Sequence, residues 1–223
     1  MFWAALAFVA GHFVLSHPPV RSGLVARLGE KAFRGGYGLV AMATLVWLIK
    51  AYGAAPHVAL WESAVWTRHV TLSVMPLAAI LLVAGITARN PTAIYWNKPE
   101  ADTAMPGILM VTRHPVMWAV TLWALAHMVV NGDAASLIFF AAFAGLALAG
   151  MPAIDCRRRA MGGKAWQSFE AATSVLPFAA LPQGRARLSL RDIGAWRIAG
   201  GVLLYGVLLF GHKAVIGVSP LLP

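Results

Sequence analysis

The chain has 223 residues, 60% of them hydrophobic and 12% charged, with 18 Lys and Arg against 8 Asp and Glu for a net charge of +10. A soluble domain carries about 25% charged residues, so a disordered chain is excluded and the composition argues against an ordinary water-soluble fold. The basic residues stand between apolar runs and form no continuous face, which argues against nucleic acid as a partner, and the lone Cys156 excludes a disulfide framework or a Cys-rich metal site.

Six apolar runs follow one another, each near the ~20 residues that a helix needs to cross a hydrocarbon core. They cover about 2–19, 36–52, 67–88, 115–130, 135–154 and 195–216. Every backbone hydrogen bond in a bilayer has to be closed within the protein, and continuous apolar runs without alternation select helices over a barrel. The expected fold is therefore all-α, a polytopic bundle of about six transmembrane helices, with 1–223 as one integral membrane domain. The first run lacks a basic stretch before it, so it reads as a span and not as a cleaved signal peptide. The fourth ends at Asn131-Gly132-Asp133, a tight polar turn into the fifth.

Charge then sets orientation. Arg21, Arg27, Lys31 and Arg34 follow the first run; Arg89, Lys98 and Arg113 follow the third; Arg157, Arg158, Arg159, Lys164, Arg185, Arg187, Arg191 and Arg197 follow the fifth. Only Lys50, Arg68 and Lys213 are left for the other side. Both termini are expected outside the cytoplasm, in a bacterial inner membrane, with the lipid bilayer as the main partner. Within the long fifth loop, Trp166, Phe169 and Thr173 recur at helical spacing beside Lys164, Gln167 and Glu170, which predicts an amphipathic helix along the cytoplasmic interface.

The chemistry rests on histidines. At ~1.5 Å of helical rise per residue, His12 falls near the bilayer midplane and His127 about 18 Å above the start of its run. His17 and His114 fall near the cytoplasmic surface, and His57, His69 and His212 near the outer one. An ionisable side chain deep in a span is a functional candidate. His12 and His127 fit two readings: paired neutral imidazoles on one haem iron, or hydrogen bonds that join neighbouring helices. His17, His114 and His69 are the runner-up ligands. Trp123 lies one turn before His127 on the same face and offers a wall for a porphyrin. Arg113-His114-Pro115 reads either as a helix start at the headgroups or as an anion clamp with a forked guanidinium donor suited to a propionate. Asp155 has the Arg157–Arg159 run as its nearest ion-pair partners in sequence. Covalent c-type haem is excluded, since no Cys-x-x-Cys-His occurs, and there is no P-loop or dinucleotide fingerprint.

Several short motifs then fall in a characteristic order. They are Gly11-His12 with Ser16 and Pro18-Pro19-Val20-Arg21, Leu28-Gly29-Glu30-Lys31-Ala32-Phe33-Arg34, Asn90-Pro91-Thr92, and Thr112-Arg113-His114-Pro115. Leu122-Trp123-Ala124-Leu125-Ala126-His127, Asn131-Gly132-Asp133, Asp155 with Arg157-Arg158, and Thr173-Ser174-Val175-Leu176-Pro177-Phe178 follow. In these the chain resembles the NnrU family of bacterial membrane proteins over nearly its whole length. That resemblance implies an association with denitrification, through nitrite and nitric oxide metabolism, as a sensor or assembly factor beside denitrification proteins or a redox donor. The same motifs are similar to the domain of plant 15-cis-zeta-carotene isomerase, a haem b membrane enzyme. Its two haem-ligating histidines match His12, across a small gap, and His127. The likeness thus implies haem b as cofactor and, as an alternative activity, haem-dependent cis–trans isomerisation of an apolar polyene; the sequence after His12 diverges, so the substrate does not carry over. A more distant likeness to integral membrane methyltransferases rests on Arg113-His114-Pro115 and the basic loop, but the paired acidic residues of that family's C-terminal motif are missing around Asp155–Glu170.

Overall fold

The structure is a computed structural model, described here for residues 1–93 and 107–221; Lys98 lies outside them. Helices α1 (Phe2–Ser16), α2 (Pro18–Leu28), α3 (Glu30–Gly53), α4 (Val65–Thr87), α5 (Gly107–Val111), α6 (Pro115–Asn131), α7 (Ala134–Met161), α8 (Lys164–Ala172), α9 (Leu190–Ile193) and α10 (Ala195–Ile216) make up the fold. Among the described residues the one piece of β pairing is an isolated bridge between Ala59 and Asp133. The all-helical expectation holds. Four helices, α3, α4, α7 and α10, are long and apolar enough to cross a membrane; α1 and α6, at 15 and 17 residues, are shorter.

Local chemistry places the helix ends. The first run was expected to reach residue 19, but α1 stops at Ser16: His17 precedes Pro18, whose ring excludes the α conformation before it, and it stands extended at φ −61°, ψ 128°. Pro18 then opens α2, where its missing N–H costs nothing. The second run starts earlier than expected, at Glu30, and the fifth runs on to Met161, beyond the expected 154. At the predicted polar turn, Gly132 closes α6 with φ 68° and Asp133 Oδ1 caps α7 by accepting from Ser136 N at 2.9 Å. Gly132 O accepts from Leu60 N (2.8 Å) and Trp61 N (3.0 Å), and a Cβ there would run into the Trp61 carbonyl. This turn needs glycine for both reasons.

The helices form a chain of neighbours: α10 packs on α4, α4 on α6, α6 on α7, and α7 on α1, which also packs on α3. Close approach of α10 to α4 depends on Gly201, where a Cβ would stand 2.5 Å from Ile80 Cα. The outward side chains of α10 are apolar: Leu203, Phe210 and Val215 are 69%, 75% and 82% exposed. Such a face suits lipid and not water. At the other end of the bundle from the Gly132 turn, Trp166 and Phe169 of α8 join Ala84, Ala88, Ile108, Leu109, Val111 and Ile193 in a buried cluster. Helix α8 is amphipathic as expected, with Lys164 and Gln167 exposed, but its apolar face packs on the protein itself.

Candidate functional site

His12 and His127 share one local geometry. His12 Nδ1 lies 2.7 Å from Phe8 O, and His127 Nδ1 2.8 Å from Trp123 O, each one turn back along its own helix. A carbonyl only accepts, so each Nδ1 must carry the proton and each Nε2 a lone pair. Among the described residues neither Nε2 has a hydrogen-bond partner. This differs from the bundle-joining alternative, because neither imidazole bonds a neighbouring helix.

The two rings are linked through aromatics. His12 packs on Phe8 (ring centroids 4.7 Å apart), Phe8 on Phe143 (5.0 Å), Phe143 on Trp123 (5.2 Å) and Trp123 on His127 (5.5 Å). Phe140 covers His127 from the α7 side at 5.1 Å, and Tyr37 of α3 meets His12 edge-on at 5.8 Å. Helix α7 therefore lies between the two histidine helices and supplies the shared wall. Of the runner-up ligands, His17 is exposed at the α1–α2 break and His69 is exposed on α4.

Arg113 and His114 lie in a different setting from the one expected. His114 is not a surface residue satisfied by headgroups and water: it is 2% exposed, and its Nε2 lies 2.8 Å from Asp155 Oδ1. Its Nδ1 is buried without a hydrogen-bond partner among the described residues. Arg113 is buried beside it. Its Nε lies 3.0 Å from Asp155 Oδ2, at an angle that makes the contact an ion pair and not a hydrogen bond. Nη1 donates to Glu170 O (3.1 Å) and to Thr173 Oγ1 (3.4 Å), while Nη2 stands 3.9 Å from Glu170 Oε1. Asp155 thus pairs with Arg113 and His114, and not with the arginines that follow it in sequence. Arg159 instead bonds Glu170, and that hydrogen bond, against partial burial and with help from Arg113, holds the Glu170 carboxyl below the usual carboxylate range.

This buried network joins the start of α6 to α7 and α8. The next segment is stitched in too: Thr112 Oγ1 and Trp118 Nε1 donate to Val175 O (2.7 and 2.8 Å), and Phe178 N to Val111 O (2.7 Å). Sequence reading missed Asp155 and Glu170 as partners of Arg113, and Tyr37 beside His12. A signal for Asp155 existed: with only eight acidic residues in the chain, one at the end of an apolar run calls for a buried cation.

The family model described as NnrU protein matches residues 1–220. The chain is 29% identical over 164 residues to 15-cis-zeta-carotene isomerase of Arabidopsis thaliana, covering 71% of this chain and 44% of that protein. It is 33% identical over 92 residues to the Zea mays isomerase of the same name, covering 41% of this chain and 25% of that one. The chain thus aligns with less than half the length of either relative. No solved structure matches. With a family model matched over almost every residue, this chain belongs to the NnrU family.

Proposed function

We propose that the protein is a membrane-embedded haem b protein in which His12 and His127 are the iron ligands, and that its activity is an isomerase-like rearrangement of an apolar polyene. One observation carries the haem reading: in both imidazoles Nδ1–H is tied to a backbone carbonyl, which leaves Nε2 with its lone pair and a fixed ring. Metal-ligating histidines have this second bond as a rule, because it sets the tautomer and raises ligand basicity. Each imidazole therefore offers a lone pair of the kind that binds iron. Phe8, Phe143, Trp123 and Phe140 offer apolar and aromatic surface around the two rings. Trp123 would hold the porphyrin face, and the buried Arg113 would act through the network at the start of α6. Bound haem supplies a redox-active iron. The isomerase component rests on the likeness to the two plant isomerases.

On this reading α1 and α6 cross the bilayer as well, giving six spans in a bacterial inner membrane with both termini outside the cytoplasm. The packing of α6 supports that: Pro115 meets Gly85 near the end of α4, whereas the Gly132 turn bonds Leu60 and Trp61 just before α4 begins.

The test is the absorption spectrum of purified protein, oxidised and then reduced, for the wild type and four alanine variants at equal amounts of folded protein. His12→Ala and His127→Ala are expected to lose or shift the low-spin bands, with His17→Ala and His114→Ala close to wild type. A wild type without haem, or loss confined to His17→Ala or His114→Ala, overturns the ligand assignment. Incubating the reduced protein with a cis polyene then tests the activity. If haem is bound but the polyene is unchanged, the sensor or assembly role that the family resemblance implies takes precedence.

A further inference from the structure

Helix direction fixes the depth of the two imidazoles relative to each other. Helix α3 ends beside the start of α7, where Tyr52 Oη and Ser136 Oγ lie 2.9 Å apart, so α3 and α6 both run toward the Gly132 turn. Helix α1 runs the other way. Its early residues Ala4, Ala5 and Phe8 pack with Leu48, late in α3, whereas His12 meets Tyr37, early in α3. The four-residue steps from Phe8 to His12 and from Trp123 to His127 therefore lead in opposite directions through the bundle.

Phe8 and Trp123 share a layer, because both touch Phe143 of α7, with ring centroids 5.0 and 5.2 Å apart. At ~1.5 Å of rise per residue, the His12 Cα stands about 6 Å from that layer on one side and the His127 Cα about 6 Å on the other. Both side chains lean back toward it, since each Nδ1 reaches the carbonyl one turn earlier, that of Phe8 or of Trp123. The two imidazoles thus approach one layer from opposite faces, and the ring at its centre is Phe143.

Two imidazoles on one iron leave room between them for the metal alone, with metal–nitrogen bonds of about 2 Å on either side. A phenyl ring does not fit in that gap, because carbon atoms pack no closer than about 3.5 Å. We propose that Phe143 is a positioning residue of the haem site, whose ring has to turn out of the Phe8–Trp123 layer before His12 and His127 close on one iron. This rests on the haem reading above. Turning out gives up two aromatic contacts, worth together about a tenfold shift in an equilibrium. A site that must first reach a minor conformation binds more weakly by that conformation's population. Phe143 therefore holds haem affinity down, the reverse of what a wall residue does.

The probe is haem, titrated into full-length protein made in haem-depleted cells and held in nanodiscs, with absorption reading both binding and the low-spin bands. Phe143→Ala is expected to bind haem about tenfold more tightly than wild type, at one haem per chain and with the low-spin bands kept. Phe143→Leu keeps most of the volume without the ring contacts and should show part of the gain. Phe140→Ala strips a ring from His127 itself and should weaken binding. The gain should vanish when Phe143→Ala is combined with His12→Ala or with His127→Ala. If wild type holds haem through both histidines and neither Phe143 variant binds more tightly, the inference is overturned and the haem reading stands. A gain that survives loss of either histidine, or two haems per chain, also overturns it, since the pair then shares no iron. An equal gain in Phe140→Ala overturns it too, by showing that any loosening of α7 admits haem. Failure of both wild type and Phe143→Ala to bind haem overturns the haem reading, and the inference with it.

Discussion

Asp155→Ala removes the one group that holds Arg113 and His114 together. The Asp155 carboxylate is 2% exposed and receives the His114 Nε2–H at 2.8 Å and the Arg113 charge at 3.0 Å. Without it, Arg113 is left 8% exposed with Glu170 at 3.9 Å as its remaining counter-charge among the described residues, and the His114 ring loses its only partner among them. Breaking a buried pair from one side costs about 3–5 kcal/mol, because the surviving charge stays desolvated. The Glu170 contact and the carbonyl that Nη1 reaches argue for the lower half of that range. Asp155→Asn keeps the shape and one acceptor and should cost roughly 1–3 kcal/mol.

Unfolding of purified protein in a mild detergent, titrated with a denaturing one, reads the difference. Replacing both partners at once is the informative control. Asp155→Leu combined with Arg113→Met removes the charges together and should recover most of the loss, since apolar substitutes for a buried pair are often neutral or better. A cost for Asp155→Ala below about 1 kcal/mol would mean that the pair is solvated and that the burial argument is wrong.

Other outcomes follow from the same geometry. Gly201→Leu forces a Cβ to within 2.5 Å of Ile80 Cα, so α10 has to leave α4; a loss of at least 1–3 kcal/mol is expected, against little change for Gly206→Leu, where nothing lies within 4 Å. Equal effects of the two would refute the contact. Glu170 carries a folded-state pKa below its ordinary value, set first by the hydrogen bond from Arg159. Its contribution is complete above the ordinary carboxylate range and is lost as pH falls through the lowered value, so the stability gap between wild type and Glu170→Gln should close in acid. A gap constant with pH would show that Glu170 acts by shape alone. For topology, a reporter active only in the cytoplasm should be silent when fused at the C-terminus; strong activity there would reverse the orientation or change the number of crossings.

How far the sequence leads depends on whether a feature is local. Helix positions are legible because continuous apolar runs carry them, and the sharpest boundaries coincide with residues that act on their own neighbours, such as Pro18, Gly132 and Asp133. His12 and His127 stand out for a similar reason: an ionisable residue in an apolar run is unusual whatever surrounds it, and its Nδ1 hydrogen bond is made to its own helix one turn back. Arg113 and His114 are the opposite case. A basic pair before Pro115 looks like any helix start at a membrane surface, and the groups that draw it inside are Asp155, 41 residues beyond His114, and Glu170, 57 beyond Arg113. Long-range pairing of that kind leaves no periodicity and no local propensity to read. The same holds for α8, whose two faces are evident from spacing, while the partner of its apolar face is fixed only when α4, α5 and α9 meet around Trp166 and Phe169. Arg157 completes the argument from the other direction. In sequence it is one of three consecutive arginines and looks interchangeable with them, yet helical rotation turns it away from Asp155 and gives Arg159 the carboxylate of Glu170. A run of like charges at a helix end is therefore a set of differently aimed donors.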